Sequence, residues 1–174
     1  MNETDLEISA LGLEHESAIT EYVSEFTTAG DSSINGYFGK PDWSHAQTIE
    51  KLEAWSRGEE LDGWVRNTTR FLISNGRILG NYNFRHELTE ALTKCGGHCG
   101  YSVRPSERRK GYATRMLGHA KGFGRNLGLQ RMLVTCDVNN LGSSRAIENN
   151  GGILENVIDL EDSDEKLARY WITL

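Results

Sequence analysis

Polar and apolar residues alternate through Asp5-Leu-Glu-Ile-Ser-Ala-Leu11, and this two-residue period predicts a first strand over 5–11. The period then lengthens. Ala18, Ile19, Tyr22, Val23 and Phe26 recur at helical spacing and predict a helix over 14–27 that stops before Gly30. Residues 30–43, with Gly30, Gly36, Gly39 and Pro41, read as a loop, and Ile49, Leu52 and Trp55 predict a second helix over 45–57. Two β-prone runs, 69–75 and 77–86, flank Asn75-Gly76, the strongest short-range hairpin signal a sequence offers. A further strand is predicted over 97–104. From 112 to 127, Ala113, Met116, Leu117, Ala120, Phe123 and Leu127 form one helical stripe, stopped by Gly128. A strand over 131–138, a short helix over 141–150 and closing strands over 152–160 and 166–174 complete the pattern. The order β-α-α-β-β-β-α-β-α-β-β predicts an α/β or α+β domain built on a mixed sheet.

Composition adds bounds. The chain has 174 residues, enough for one domain with a core, and no repeat or linker divides it. No apolar run approaches the ~20 residues of a membrane span. The acidic start Met1-Asn-Glu-Thr-Asp5 has no apolar core of a secretory signal, so a cytoplasmic protein with no membrane partner is expected. The net charge of −6 argues against nucleic acid as the main partner and sits comfortably with a cationic substrate such as an amine. Cys95, Cys99 and Cys136 are too few and too scattered for a disulfide framework, and reduced thiols are expected. Cys95-Gly-Gly-His98-Cys99 groups three ligand types, but closed zinc sites use four, usually in two pairs, and no second pair exists. On a strand, His98 and Cys99 would also face opposite sides. The segment reads as a loop entering a strand, with no metal.

The chemistry concentrates between Tyr101 and Leu117, Tyr-Ser-Val-Arg-Pro-Ser-Glu-Arg-Arg-Lys-Gly-Tyr-Ala-Thr-Arg-Met-Leu. A strand ends near Arg104, Pro105 breaks it, and a basic loop with Gly111 opens directly into a helix. Helix N-termini carry unpaired N–H groups and partial positive charge, so they attract phosphate. Gly111 and Ala113 leave room for a ligand near the backbone. Five Arg or Lys residues against one Glu between 104 and 115 make a cationic patch that a pyrophosphate would complement. By itself the loop also reads as a solvated basic turn. It is neither the dinucleotide fingerprint nor a Walker A loop.

Arg108-x-x-Gly111-x-Ala113 resembles the signature of the GNAT superfamily of N-acetyltransferases, Arg or Gln followed by x-x-Gly-x and Gly or Ala. It stands where that family has it, after the fourth strand and opening the third helix. Asn140-Leu-Gly-Ser143-Ser-Arg-Ala-Ile-Glu-Asn-Asn-Gly-Gly152 resembles the family's second element. The run from Phe84 to Leu88 and that from Gly96 to Ala113 are similar to a bacterial branch known mainly as predicted acetyltransferases. The resemblance implies a single GNAT-like domain over 1–174. Its central, mixed but mostly antiparallel sheet would have about seven strands flanked by about four helices. The acceptor side would occupy about 1–96 and the acetyl-CoA half about 97–152, with closing strands at about 152–174.

It further implies acetyl transfer from acetyl-CoA to an amine acceptor, and many relatives form homodimers. The fourth and fifth strands would splay around the pantetheine arm, with backbone groups near Tyr101 and Val103 pairing to its amides. N–H groups from Arg109 through Gly111, Tyr112, Ala113 and Thr114 would hold the pyrophosphate, and Arg108, Arg109 and Lys110 would add charge. Asn140 and Ser143 match positions that contact the cofactor arm, and an N-cap role is compatible with that. Many relatives carry a general-acid tyrosine seven residues beyond this asparagine. Here the position is Ile147, which cannot donate a proton; Glu148 lies about 100° round the helix. The acid is then another group, such as water or Ser143, or is dispensed with.

An acceptor ammonium must lose a proton before attack, and the candidate bases are His86, Glu87 and His98, with Asp137 a further one. Each also reads as a structural or surface group. Trp43, Trp55, Trp64 and Tyr37 fall where relatives build one wall of the acceptor site, and core packing is the alternative. A non-catalytic acyl-CoA-binding domain is the competing reading, favoured by Ile147. A nucleotide-binding module is disfavoured by the Asn140 element.

Overall fold

A computed structural model describes residues 5–160 and 165–174. Residues 1–4, which carry most of the stretch read for an export signal, lie outside the described residues. The elements run β1 (Leu6–Ser9), α1 (Glu16–Thr28), α2 (His45–Arg57), β2 (Asn67–Ser74), β3 (Arg77–Arg85), α3 (Glu90–Lys94), β4 (Cys99–Val103), α4 (Tyr112–Asn126), β5 (Arg131–Asp137), α5 (Leu141–Glu148), β6 (Gly152–Asp159) and β7 (Lys166–Thr173). Every expected strand and helix is present within a few residues. The addition is α3, a single turn too short to show a periodic stripe, which starts where Thr89 Oγ1 accepts the Leu92 N–H at 3.2 Å.

Local chemistry explains several boundaries. Asn75 and Gly76 have φ of 49° and 73°, as the type I′ hairpin between β2 and β3 requires. Ser44 and Gln47 close a reciprocal capping box at the start of α2, with the Ser44 N–H donating to Gln47 Oε1 at 2.8 Å. On α4, Met116, Leu117 and Ala120 are fully buried, whereas Leu127 is 38 % exposed and falls off the stripe.

The seven strands divide between two sheets, β1-β2-β3-β4 and β5-β7-β6, and every ladder within them is antiparallel. One core cluster lies between the sheets and α4, around Tyr82, Phe84, Met116 and Met132. A second lies on the other face of the first sheet against α1 and α2, around Tyr22, Phe26, Leu52 and Phe71. Among the described residues no ladder pairs β4 with β5. They touch at His98, whose N–H donates to Leu133 O at 2.7 Å. The returning Leu133 N–H goes to the imidazole Nδ1 of His98 at 2.9 Å. A side chain thus takes the donor that a continuing ladder would use, and the sheets part there.

Candidate active site

The β4–α4 corner is clamped from α1. Arg104 is buried, and its Nε donates to Glu25 Oε2 at 2.5 Å, while the other Glu25 oxygen accepts the Ser106 N–H at 2.7 Å. Burial would raise the Glu25 carboxyl, but the Ser106 and Arg104 hydrogen bonds outweigh it and hold it at about 2. Glu107, also buried, pairs with Arg77 and accepts from Lys110 Nζ at 2.7 Å. Arg108 Nη2 reaches Asp31 Oδ2 at 2.6 Å. Much of the cationic patch legible in the sequence is therefore neutralised by acids, two of which, Glu25 and Asp31, arrive from far along the chain. Arg109 and Arg115 are exposed and have no ion pair among the described residues.

Gly111 sits at φ 82° as the N-cap of α4 and offers no side chain to the first turn. The Arg115 N–H reaches the Gly111 carbonyl at 3.1 Å; the N–H groups of Tyr112, Ala113 and Thr114 precede the first such bond. A Cβ at Gly111 would meet nothing within 4 Å, so the corner is open toward these donors. Arg109, with φ 66°, is a left-handed residue without glycine's freedom.

Between the sheets, alternation directs Cys99, Tyr101 and Val103 of β4 toward the α4 side. The Tyr101 hydroxyl lies 2.7 Å from Ser143 Oγ, joining β4 to the first turn of α5. Burial pushes the Tyr101 phenol up. Asn140 Oδ1 accepts the Ser143 N–H at 3.0 Å, so Asn140 caps α5. Ile147 is fully buried in the core. Sequence reasoning valued Tyr101 for its backbone alone; only strand register and the α5 position reveal its hydroxyl beside Ser143.

The three base candidates are not joined by any hydrogen bond or ring contact among the described residues. His98 is 6 % exposed, and burial, with Arg85 adding to it, pushes its imidazole down to about 4. Its Nδ1 is committed to Leu133. His86 is half-buried with Nε2 2.8 Å from Thr68 Oγ1, and burial followed by the charge of Arg66 lowers it to about 4. Glu87 is exposed. Asp137 accepts the Asn139 N–H at 2.6 Å, a strand-end turn contact. Phe38 packs edge-on against Trp55 and Trp64, Trp43 tilts against Trp55, and Tyr37 packs on Phe71. Packing thus engages all four aromatics, although Trp64 remains 55 % exposed. No three His, Cys, Asp or Glu side chains among the described residues gather to hold a metal ion, and Cys99 is buried in the core.

A family model described as an acetyltransferase (GNAT) domain matches residues 10–153. No curated protein matches the chain significantly. Among solved structures, an N-acetyltransferase from Staphylococcus aureus Mu50 is similar over 97 % of this chain and 98 % of its own, at 17 % identity and a TM-score of 0.67. A Salmonella typhimurium acetyltransferase that modifies the N-terminal serine of ribosomal protein L7/L12 is similar over 99 % of this chain and 96 % of its own, at 16 % identity and a TM-score of 0.66. YncA from Salmonella typhimurium, solved with its cofactor acetyl-CoA, is similar over 98 % and 94 %, at 15 % identity and a TM-score of 0.63. At such identities the likeness concerns the fold.

Proposed function

This chain belongs to the GNAT acetyltransferase family, and from that premise we propose that it moves an acetyl group from acetyl-CoA to an amine of a small molecule, peptide or protein. The observation that carries this reading is the uncapped start of α4 at Gly111, beside the unpaired edges of β4 and β5. The N–H groups of Tyr112, Ala113 and Thr114 suit a pyrophosphate, with Arg109 supplying unpaired charge. Arg108 and Lys110 act chiefly by fixing the loop through Asp31 and Glu107. Backbone groups of Tyr101 and Val103 suit the amides of the pantetheine arm.

Acetyl-CoA supplies the thioester. The neutral amine attacks its carbonyl carbon, the C–N bond forms as the C–S bond breaks, and the amine's proton leaves to solvent or a base. His86 and His98 are neutral at physiological pH, yet His98 is tied to Leu133, which leaves His86, Glu87 or ordered water for that proton. The thiolate, with a pKa near ~8.5, is protonated on release. With Ile147 in the usual tyrosine position, the Tyr101–Ser143 hydroxyl pair, which joins β4 to α5, is the proton donor this reading assigns.

Incubation with acetyl-CoA and a panel of amines and peptides, followed by mass spectrometry, is expected to yield N-acetylated product. Tyr101→Phe should lower kcat by roughly 10- to 100-fold with little change in acetyl-CoA affinity. Bound cofactor with every acceptor unmodified would instead favour the acyl-CoA-sensing reading that Ile147 suggests.

A further inference from the structure

Arg85 ends β3 and, by alternation with Phe84 in the α4-side core, points to the opposite face. Its Nη1 donates to the carbonyls of Gly96 and Gly97, both at 3.1 Å. Among the described residues its Nε and Nη2 make no hydrogen bond, and no carboxylate is within ion-pair reach. Buried Arg104 and part-buried Arg169 each have an acid, Glu25 and Glu155, whereas part-buried Arg70 and Lys121, like Arg85, have only backbone carbonyls. The groups against Arg85 are the carbonyls of Gly96 and Gly97 in the α3–β4 turn and, near its Nη2, Gly100 of β4. A guanidinium taken partly out of water without a counter-ion is costly, and a ligand anion would offset that cost.

Its position says which anion. A Cβ at Gly100 would lie 3.9 Å from Arg85 Nη2. Gly100 lies two residues beyond His98, the point where β4 and β5 are joined, so the free edge of the guanidinium stands at the closed end of the gap between the sheets. The same face of β3 carries Asn83, whose buried Oδ1 has no partner among the described residues. Next along β4 is Tyr101, assigned above to the acyl arm.

We propose that Arg85 binds a carboxylate of the acceptor, so that the preferred acceptors are amines carrying a carboxylate close to the reacting nitrogen. The proposal rests on the acetyl-transfer reading of this site. A guanidinium edge pairs a carboxylate through two parallel N–H donors, which a carboxamide cannot match.

The test is calorimetric titration of the protein, with saturating CoA, by N-acetylglycine, N-acetyl-β-alanine, their carboxamides, and acetate alone. At least one acid is expected to bind ~10-fold or more tightly than its amide, and acetate more weakly than that acid. Arg85→Gln should bring the acid to the affinity of its amide, and Arg85→Lys should shrink the ratio several-fold. Acids and amides binding equally or not at all, or a ratio that survives in Arg85→Gln, would overturn the proposal. If Arg85→Gln does not fold, an Arg85→Lys ratio equal to that of the wild type has the same force. Product affinity needs no turnover, so a failure of acetyl transfer would reject the proposed function separately from this result.

Discussion

At Gly111 two constraints coincide: φ is 82°, and the backbone N–H groups that follow are uncapped. Any side chain there is strained by about 1 kcal/mol. Gly111→Glu adds negative charge at the same point, so acetyl-CoA affinity should fall by at least ~100-fold in calorimetry while far-UV circular dichroism is unchanged. His98 makes a different residue-scale prediction. Its folded pKa, about 4, lies below the unfolded value of 6.5, so the neutral form stabilises the fold. That contribution is complete above the unfolded value and is lost as pH falls from 6.5 toward 4. In urea unfolding, the wild type should lose roughly 2 kcal/mol more than His98→Gln between pH 7 and pH 5. Of the site residues, Gly111 and Asn140 were legible because a left-handed corner and a helix cap are local. The role of His98 was not, because its partner Leu133 lies 35 positions away.

At the scale of elements, the Glu25–Arg104 pair ties α1 to the corner between β4 and α4. Removing the acid leaves a buried guanidinium and loosens Ser106 as well. Glu25→Ala should cost about 3 kcal/mol in chemical denaturation and weaken acetyl-CoA binding without touching the ligand. Periodicity located the long elements well: the stripes on α1 and α4 bury Ile19, Tyr22, Phe26, Met116 and Leu117 as expected. It missed α3, where one turn of helix gives no stripe. The separation between β4 and β5 was expected from the family resemblance and is present, but periodicity is silent on the imidazole that replaces a backbone partner there. Counting charges from 104 to 115 overstated the cationic patch for the same reason, since Glu25 and Asp31 are distant in sequence.

For the whole molecule, two antiparallel sheets meet at His98 and Leu133. On the α4 side lie Gly111 and the Tyr101–Ser143 pair, and on the opposite face lies half-buried Arg85. The proposed function assigns the first side to the cofactor arm, and the further proposal assigns the second to the acceptor. Two ordered motifs in the sequence led to the proposed cofactor side, whereas the residues of the proposed acceptor face are connected by no short motif. The decisive measurement is release of free CoA thiol from acetyl-CoA, followed with and without an amine panel, for the wild type and Gly111→Glu. Acceptor-dependent release by the wild type, lost in Gly111→Glu, is the result expected. No acceptor-dependent release from a wild type that binds acetyl-CoA would contradict acetyl transfer, and undiminished release by Gly111→Glu would contradict the placement of the cofactor.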